Sequence, residues 1–190
     1  MTVATAQKMT LEEFLSYDDG TDNWYELENG ELINMPAESE INRRIATFLF
    51  ALFLQIGIPS YRLTMKTEVA VSGSRVSVRI PDLMILSEEL AIAMQGASRS
   101  IVLMDMPPPV LVVEVVSPNQ EKRDYRYKKT EYAARGIAEY WIVDPIQQSV
   151  TVLEWVEGLY EERVFVGDEK MISPLLGSLE LTAAQVLQGS

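Results

Sequence analysis

The chain has 190 residues, about one domain's length, and its 47% hydrophobic and 23% charged residues fit a packed protein and exclude a disordered one. Sixteen basic residues against 28 acidic ones give a net charge of −12, which argues against a nonspecific nucleic-acid coat. With neither Cys nor His, thiolate nucleophiles, Ser-His-Asp chemistry and zinc sites of the usual ligand set are excluded. Any protein-bound metal must then take oxygen ligands, as Mg2+, Mn2+ and Ca2+ do.

Thr10-Leu11-Glu12-Glu13 is a capping-box pattern that opens a short helix to about Tyr17, ended by Asp18-Asp19-Gly20. Two alternating stretches, 24–27 and 31–35, flank Glu28-Asn29-Gly30, a strong hairpin signal. Apolar residues then recur at helical spacing (Ile41, Ile45, Phe48, Leu49, Leu52, Phe53, Ile56), which predicts the longest helix over 38–56. Residues 61–71 read as one strand. Ser72-Gly73-Ser74-Arg75 turns it toward a second strand at 76–80, and 83–86 is a third. Ser87-Glu88-Glu89 caps a short helix, and residues 96–109, with three consecutive prolines, read as an irregular excursion.

The run 110–116 is almost continuously apolar and predicts a central strand covered on both faces. Residues 122–135 follow as a helix ended by Gly136, and 138–143 as a strand stopped by Asp144-Pro145. The unit 110–143 has the length of a parallel strand-helix-strand crossover. Strands at 150–155 and 163–166 join near Glu157-Gly158, and Thr182-Ala183-Ala184-Gln185 caps a last short helix. The layout is mixed α/β with no internal repeat and no domain boundary. No apolar run reaches the ~18 residues that a membrane span needs. The N-terminus lacks the basic and apolar regions of a signal peptide, so a cytoplasmic location is expected.

Charge is unevenly spread. Residues 1–40 carry ten acids and one base, residues 136–190 nine acids and two bases, and residues 41–135 nine acids and thirteen bases. Six of those bases lie between Lys122 and Arg135, which is either a solvated helix face or part of a polyanion-binding surface.

Within this positive middle, Glu114 interrupts the apolar run, and Asp82 follows Ile80-Pro81 at the start of another strand. A carboxylate among β-branched residues is costly unless something compensates it. Two carboxylates at the ends of buried strands suit a hard divalent cation that keeps some of its waters and takes a phosphate oxygen. On the following helix Asp124, Lys128 and Tyr132 are spaced i, i+4, i+8 and share one side, so Lys128 can approach the two acids. Phosphodiester hydrolysis is the reaction that best suits these residues. Bland readings stand beside it. Asp82 could satisfy turn amides, Glu114 could form a buried ion pair with Lys128 or Arg126, and Lys129 rivals Lys128. Glu26 reads as the polar face of the hairpin or as a further acid near the metal. Tyr132, Tyr140 and Trp141 read as core, and Ser117 as a turn residue.

Pro81-Asp82, Val113-Glu114-Val115-Val116-Ser117-Pro118, Asp124-x-x-x-Lys128-x-x-x-Tyr132 and Glu139-Tyr140-Trp141-Ile142-Val143-Asp144-Pro145 together resemble the Uma-two family, which is classed with the restriction endonucleases and was long known only as a domain of unknown function. Tyr25-Glu26-Leu27-Glu28-Asn29-Gly30 is similar to that family's N-terminal hairpin.

The resemblance implies a single PD-(D/E)XK nuclease-like domain over 1–190: α/β, with a restriction-endonuclease-like central mixed β-sheet flanked by helices and an N-terminal β-hairpin. It implies Asp82 and Glu114 as metal ligands for Mg2+ (or Mn2+), and Asp82, Glu114 and Lys128 as catalytic residues. The usual lysine two positions after the second acid is Val116 here, and Lys128 is the matching lysine on the next helix. Many members carry a histidine early in the long helix, where this chain has Asn42.

The expected function is metal-dependent endonucleolytic cleavage of nucleic acid, DNA rather than RNA, with no membrane partner. The alternative is a catalytically weak or inactive nuclease fold used for binding or assembly. A homodimer is a further expectation, since duplex cleavage needs two cuts.

Overall fold

The structure, a computed structural model, describes residues 8–72, 75–118 and 121–190. In chain order its elements are α1 (Leu11–Leu15), β1 (Tyr25–Glu28), β2 (Glu31–Asn34) and α2 (Glu40–Gln55), then a 3-10 turn (Ser60–Arg62), β3 (Leu63–Thr64), β4 (Glu68–Ser72), β5 (Val76–Arg79), β6 (Leu83–Ile85), α3 (Glu88–Ala93), β7 (Ile101–Val102) and β8 (Leu111–Val115). A π-helical turn (Arg123–Lys128) leads into α4 (Lys129–Arg135), followed by β9 (Glu139–Asp144), β10 (Ser149–Val156), β11 (Leu159–Val166), β12 (Lys170–Ser173), β13 (Gly177–Thr182) and α5 (Ala183–Gln188).

The strands form two mixed sheets and a separate hairpin. One sheet has the order β2-β1-β5-β4-β7, the other the order β11-β10-β9-β8-β6-β3, and β12 pairs with β13 alone. The N-terminal hairpin turns at Asn29 and Gly30, both at positive φ (50° and 81°), the conformation of the tight turn that matches strand twist. At Gly30 a Cβ would meet the Lys8 side chain at 2.8 Å, so the position has no room for one. In the second sheet β8 lies between antiparallel β6 and parallel β9. All five of its residues are buried, because both of its faces are covered. Leu111, Val113 and Val115 pack with Ile45, Leu49 and Phe53 of α2, one helical turn apart. Val112 packs on the other side with Tyr132 of α4 and Tyr140 of β9. Glu114 shares that second face by strand alternation.

Several expectations are corrected. The single strand expected over 61–71 is a 3-10 turn and two short strands that belong to different sheets. The chain changes sheet at Met65-Lys66-Thr67, and Lys66 takes φ 54° to do so. The helix over 122–135 begins as a wider π-helical turn, in which the Asp124 carbonyl accepts the Tyr140 hydroxyl at 3.2 Å. A side chain drawn into the helical ladder in this way is one cause of such irregularity. Gly136 ends α4 at φ 76°, as the sequence indicates. The β12–β13 hairpin and the two-residue β7 were not anticipated. The turn expected at Ser72-Gly73-Ser74-Arg75 lies partly outside the described residues, as does the N-terminal stretch 1–7. No helix among the described residues is long and apolar enough to cross a membrane.

Candidate active site

Two chain crossings between the sheets meet at one place. Asp82 stands on the passage from β5 to β6, and Lys66 on the passage from β3 to β4. Oδ2 of Asp82 accepts the Val115 amide at 2.7 Å, which fixes its carboxylate beside Glu114. Oδ1 of Asp82 is bonded to the Lys66 ammonium, and that ammonium is also 3.0 Å from Glu38.

Glu114 points from β8 toward the π-helical turn. Its Oε1 accepts the Tyr132 hydroxyl at 2.6 Å, and its Oε2 lies 2.8 Å from Nζ of Lys128. The same ammonium is 3.1 Å from Asp124 and 3.6 Å from Glu26. Only 3% of the Lys128 side chain is exposed. The sequence therefore brings Asp124, Lys128 and Tyr132 onto one side, as their spacing predicts, although the helix that carries them is partly π.

Behind Lys128 lies a second layer of charge. Arg79 is fully buried; its Nε and Nη2 grip both oxygens of Glu131 at 2.7 and 2.9 Å, and its Nη1 donates to Glu26 at 3.0 Å and Glu28 at 2.8 Å. Arg123 also reaches Glu26 and Glu28. Glu26 accepts the Ile80 amide at 3.1 Å, which ties β1 to the segment leading into Asp82.

These contacts set the protonation of the cluster. Burial works against the charged form of Glu26, but Lys128, Arg79 and Arg123 outweigh it and bring its carboxyl down to about 2. Burial likewise opposes the charge on Lys128, yet Asp124, Glu114 and Glu26 outweigh it and hold the ammonium well above the ordinary lysine range. Glu114 is the least compensated acid. Burial pushes it up to about 8, with Lys128 opposing and the neighbouring acids adding to the rise. Asp124 is raised as well, by burial against the pull of Lys128. A strongly perturbed acid in a cleft marks a candidate site on physical grounds.

The groups open onto a cavity of about 550 Å³ whose wall includes Asp82, Glu114, Asp124, Lys66 and Lys128. No group of three or more acids among the described residues is arranged as a ready-made metal cage. Asp82 keeps spare acceptor capacity, since a carboxylate has about four lone-pair directions, and Glu114, raised by burial, would ligate once a cation displaces its proton. Two carboxylates with waters and a phosphate oxygen are a sufficient set for a Mg2+-like ion, so the donors present fit one.

Of the residues singled out in the sequence, Asp82, Glu114 and Lys128 come together. Lys129 does not, being paired with Glu162 of β11 at 2.6 Å, and Arg126 is exposed. Glu26 is not the exposed polar face of a hairpin. It is fully buried because Arg79, Arg123 and Lys128 cover the face of β1 that carries it. Tyr140 and Trp141 are core residues, the latter edge-on to Phe53 at 5.7 Å. Asn42 donates to the Val115 carbonyl at 3.0 Å and to the Ser117 hydroxyl at 2.9 Å, which anchors α2 on the end of β8. Sequence reasoning missed Lys66 and Arg79. Arg79 carried a signal, a charged residue opposite apolar neighbours in a short strand, whereas Lys66 carried none.

The scaffold is mixed α/β, with its charged cluster where the chain crosses between the two sheets. A crystal structure described as that of "a putative nuclease belonging to DUF820", from Anabaena variabilis, matches with a TM-score of 0.75 at 18% identity, over 95% of this chain and 98% of that one. The chain belongs to the Uma2 family, described as "Putative restriction endonuclease", whose model matches residues 11–184. No curated protein matches the chain.

Proposed function

We propose that this protein is a divalent-metal-dependent endonuclease that hydrolyses phosphodiester bonds of nucleic acid, DNA rather than RNA. Residues 1–190 would act as one domain, with Asp82 and Glu114 as ligands for Mg2+ (or Mn2+) and Lys128 as the catalytic ammonium. The observation that supports this most directly is the convergence of Asp82, Glu114 and Lys128 on one cavity, in a chain without His or Cys. When bound, such an ion polarises the phosphodiester and acidifies a water.

The chain's own groups do the rest. The Val115 amide orients Asp82, and the Tyr132 hydroxyl orients Glu114. Lys128 keeps its proton, balances the buried acids and would orient the attacking water beside Glu114. Two copies related by a two-fold axis would supply the two cuts that a duplex needs, and a cytoplasmic site of action accords with a DNA substrate.

The test is cleavage of plasmid DNA with Mg2+ or Mn2+. Asp82→Ala and Lys128→Ala are each expected to abolish it, and cleavage that survives Asp82→Ala overturns the assignment. A second reading, a nuclease fold kept for binding or assembly, draws support from the ammoniums already paired with Asp82 and Glu114 and from Asn42 on the Val115 carbonyl. Calorimetric titration with Mn2+ separates the two. A site lost in Asp82→Ala supports the nuclease, and no heat of binding supports the module.

A further inference from the structure

We infer that Lys66 is the residue of this site that contacts a phosphate of the substrate strand, and that Glu38 holds the place of that phosphate in the free protein. This rests on the phosphodiester reading above. Accessibility separates the two ammoniums of the cavity. Lys128 is 3% exposed and has three carboxylates within 3.6 Å, so a phosphate could reach it only by displacing buried partners. The Lys66 side chain is 31% exposed and bridges Asp82, on the inner side, and Glu38, whose side chain is 27% exposed.

Position points the same way. Lys66 and Asp82 occupy the two crossings between the sheets, so an ammonium that stays on Asp82 is fixed beside the proposed reaction centre while its outward side is free to change partner. The backbone of Lys66 is left-handed (φ 54°), a conformation unfavourable for a residue with a Cβ, which the surrounding fold must impose.

Charge explains why such a contact is needed. The cavity wall carries five carboxyl groups and two ammoniums, with Asp22 and Glu38 among the acids. A polyanion entering it meets repulsion unless a cation is offered at the rim. A phosphate oxygen taking the place of the Glu38 carboxylate on Lys66 keeps the ammonium paired and moves one acid away from the strand.

The experiment is binding of a fluorescein-labelled duplex oligonucleotide, followed by fluorescence anisotropy at rising NaCl in EDTA. Lys66→Met is expected to weaken binding and to lower the slope of log affinity against log salt by about 0.9, one phosphate contact. Lys66→Arg should retain the wild-type slope, and Glu38→Gln should bind more tightly than wild type, a gain that a merely structural role for the bridge would not give. Lys129→Met serves as the control. Wild-type affinity and slope in both Lys66→Met and Glu38→Gln overturn the inference while leaving the nuclease reading standing. Failure of the wild-type protein to bind at all overturns the inference, and the plasmid-cleavage assay decides the nuclease reading separately. Should Lys66→Met fold poorly, Glu38→Gln alone still decides, since unchanged affinity there refutes the exchange.

Discussion

Replacing Arg79 with methionine tests whether the buried charge layer holds the site together. Methionine keeps much of the arginine volume, so the main effect is electrostatic. The substitution strips Glu131 of a bidentate partner at 2.7 and 2.9 Å and removes one cation from each of Glu26 and Glu28. Glu26 retains Arg123, Lys128 and the Ile80 amide, and Glu28 retains Arg123 and some water, so the cost concentrates on Glu131, which is 5% exposed.

Breaking a buried ion pair from one side costs ~3–5 kcal/mol. For a chain of this size that is a fall in Tm of roughly 6–20 °C, at about 2–4 °C per kcal/mol. Urea unfolding followed by far-UV circular dichroism measures it. Combining Arg79→Met with Glu131→Leu should recover part of the loss, because the orphaned carboxylate goes with its partner. A loss below about 1 kcal/mol for Arg79→Met, or strict additivity of the two changes, would refute the reasoning.

Three further outcomes follow from the same contacts. Tyr132→Phe removes the hydroxyl that Glu114 accepts at 2.6 Å and should cost ~1–3 kcal/mol in urea unfolding, with no change in the far-UV spectrum. Asn42→Ala leaves the Val115 carbonyl without this donor and should lower stability by ~1–3 kcal/mol, while Asn42→Ser, which keeps a donor, should cost less. In metal-free buffer, Glu26 contributes stability with a definite sign. Its carboxyl lies at about 2 in the folded protein against an ordinary 4.5, so the contribution is present above pH 4.5 and is lost as pH falls toward 2. Unfolding free energy measured across that range should drop in the wild type and drop less steeply in Glu26→Gln.

Much of the scaffold was legible because its signals are local. The Asn29-Gly30 turn, the apolar stripe of α2, the buried run of β8 and the glycine stop at 136 each depend on a few neighbouring residues. Glu114 was legible for the same reason: a lone acid in an apolar strand needs a partner, and its nearest ammonium is the one four residues beyond Asp124. The change of sheet at Lys66 was not legible. An alternating run reads the same whether it stays in one sheet or splits between two, and only long-range pairing decides. Glu26 was legible only in part, because the polar-face reading assumes one wet face, whereas Arg79, Arg123 and Lys128 cover the face of β1 that carries its acid. The π-helical turn escaped notice because it depends on Tyr140 reaching the Asp124 carbonyl from 16 residues away.

The most direct test of the proposed site is anomalous diffraction from crystals soaked in Mn2+. The expected result is a single Mn2+ peak bonded to one oxygen of Asp82 and one of Glu114, absent in crystals of Asp82→Ala. A map with no peak between these carboxylates would contradict it.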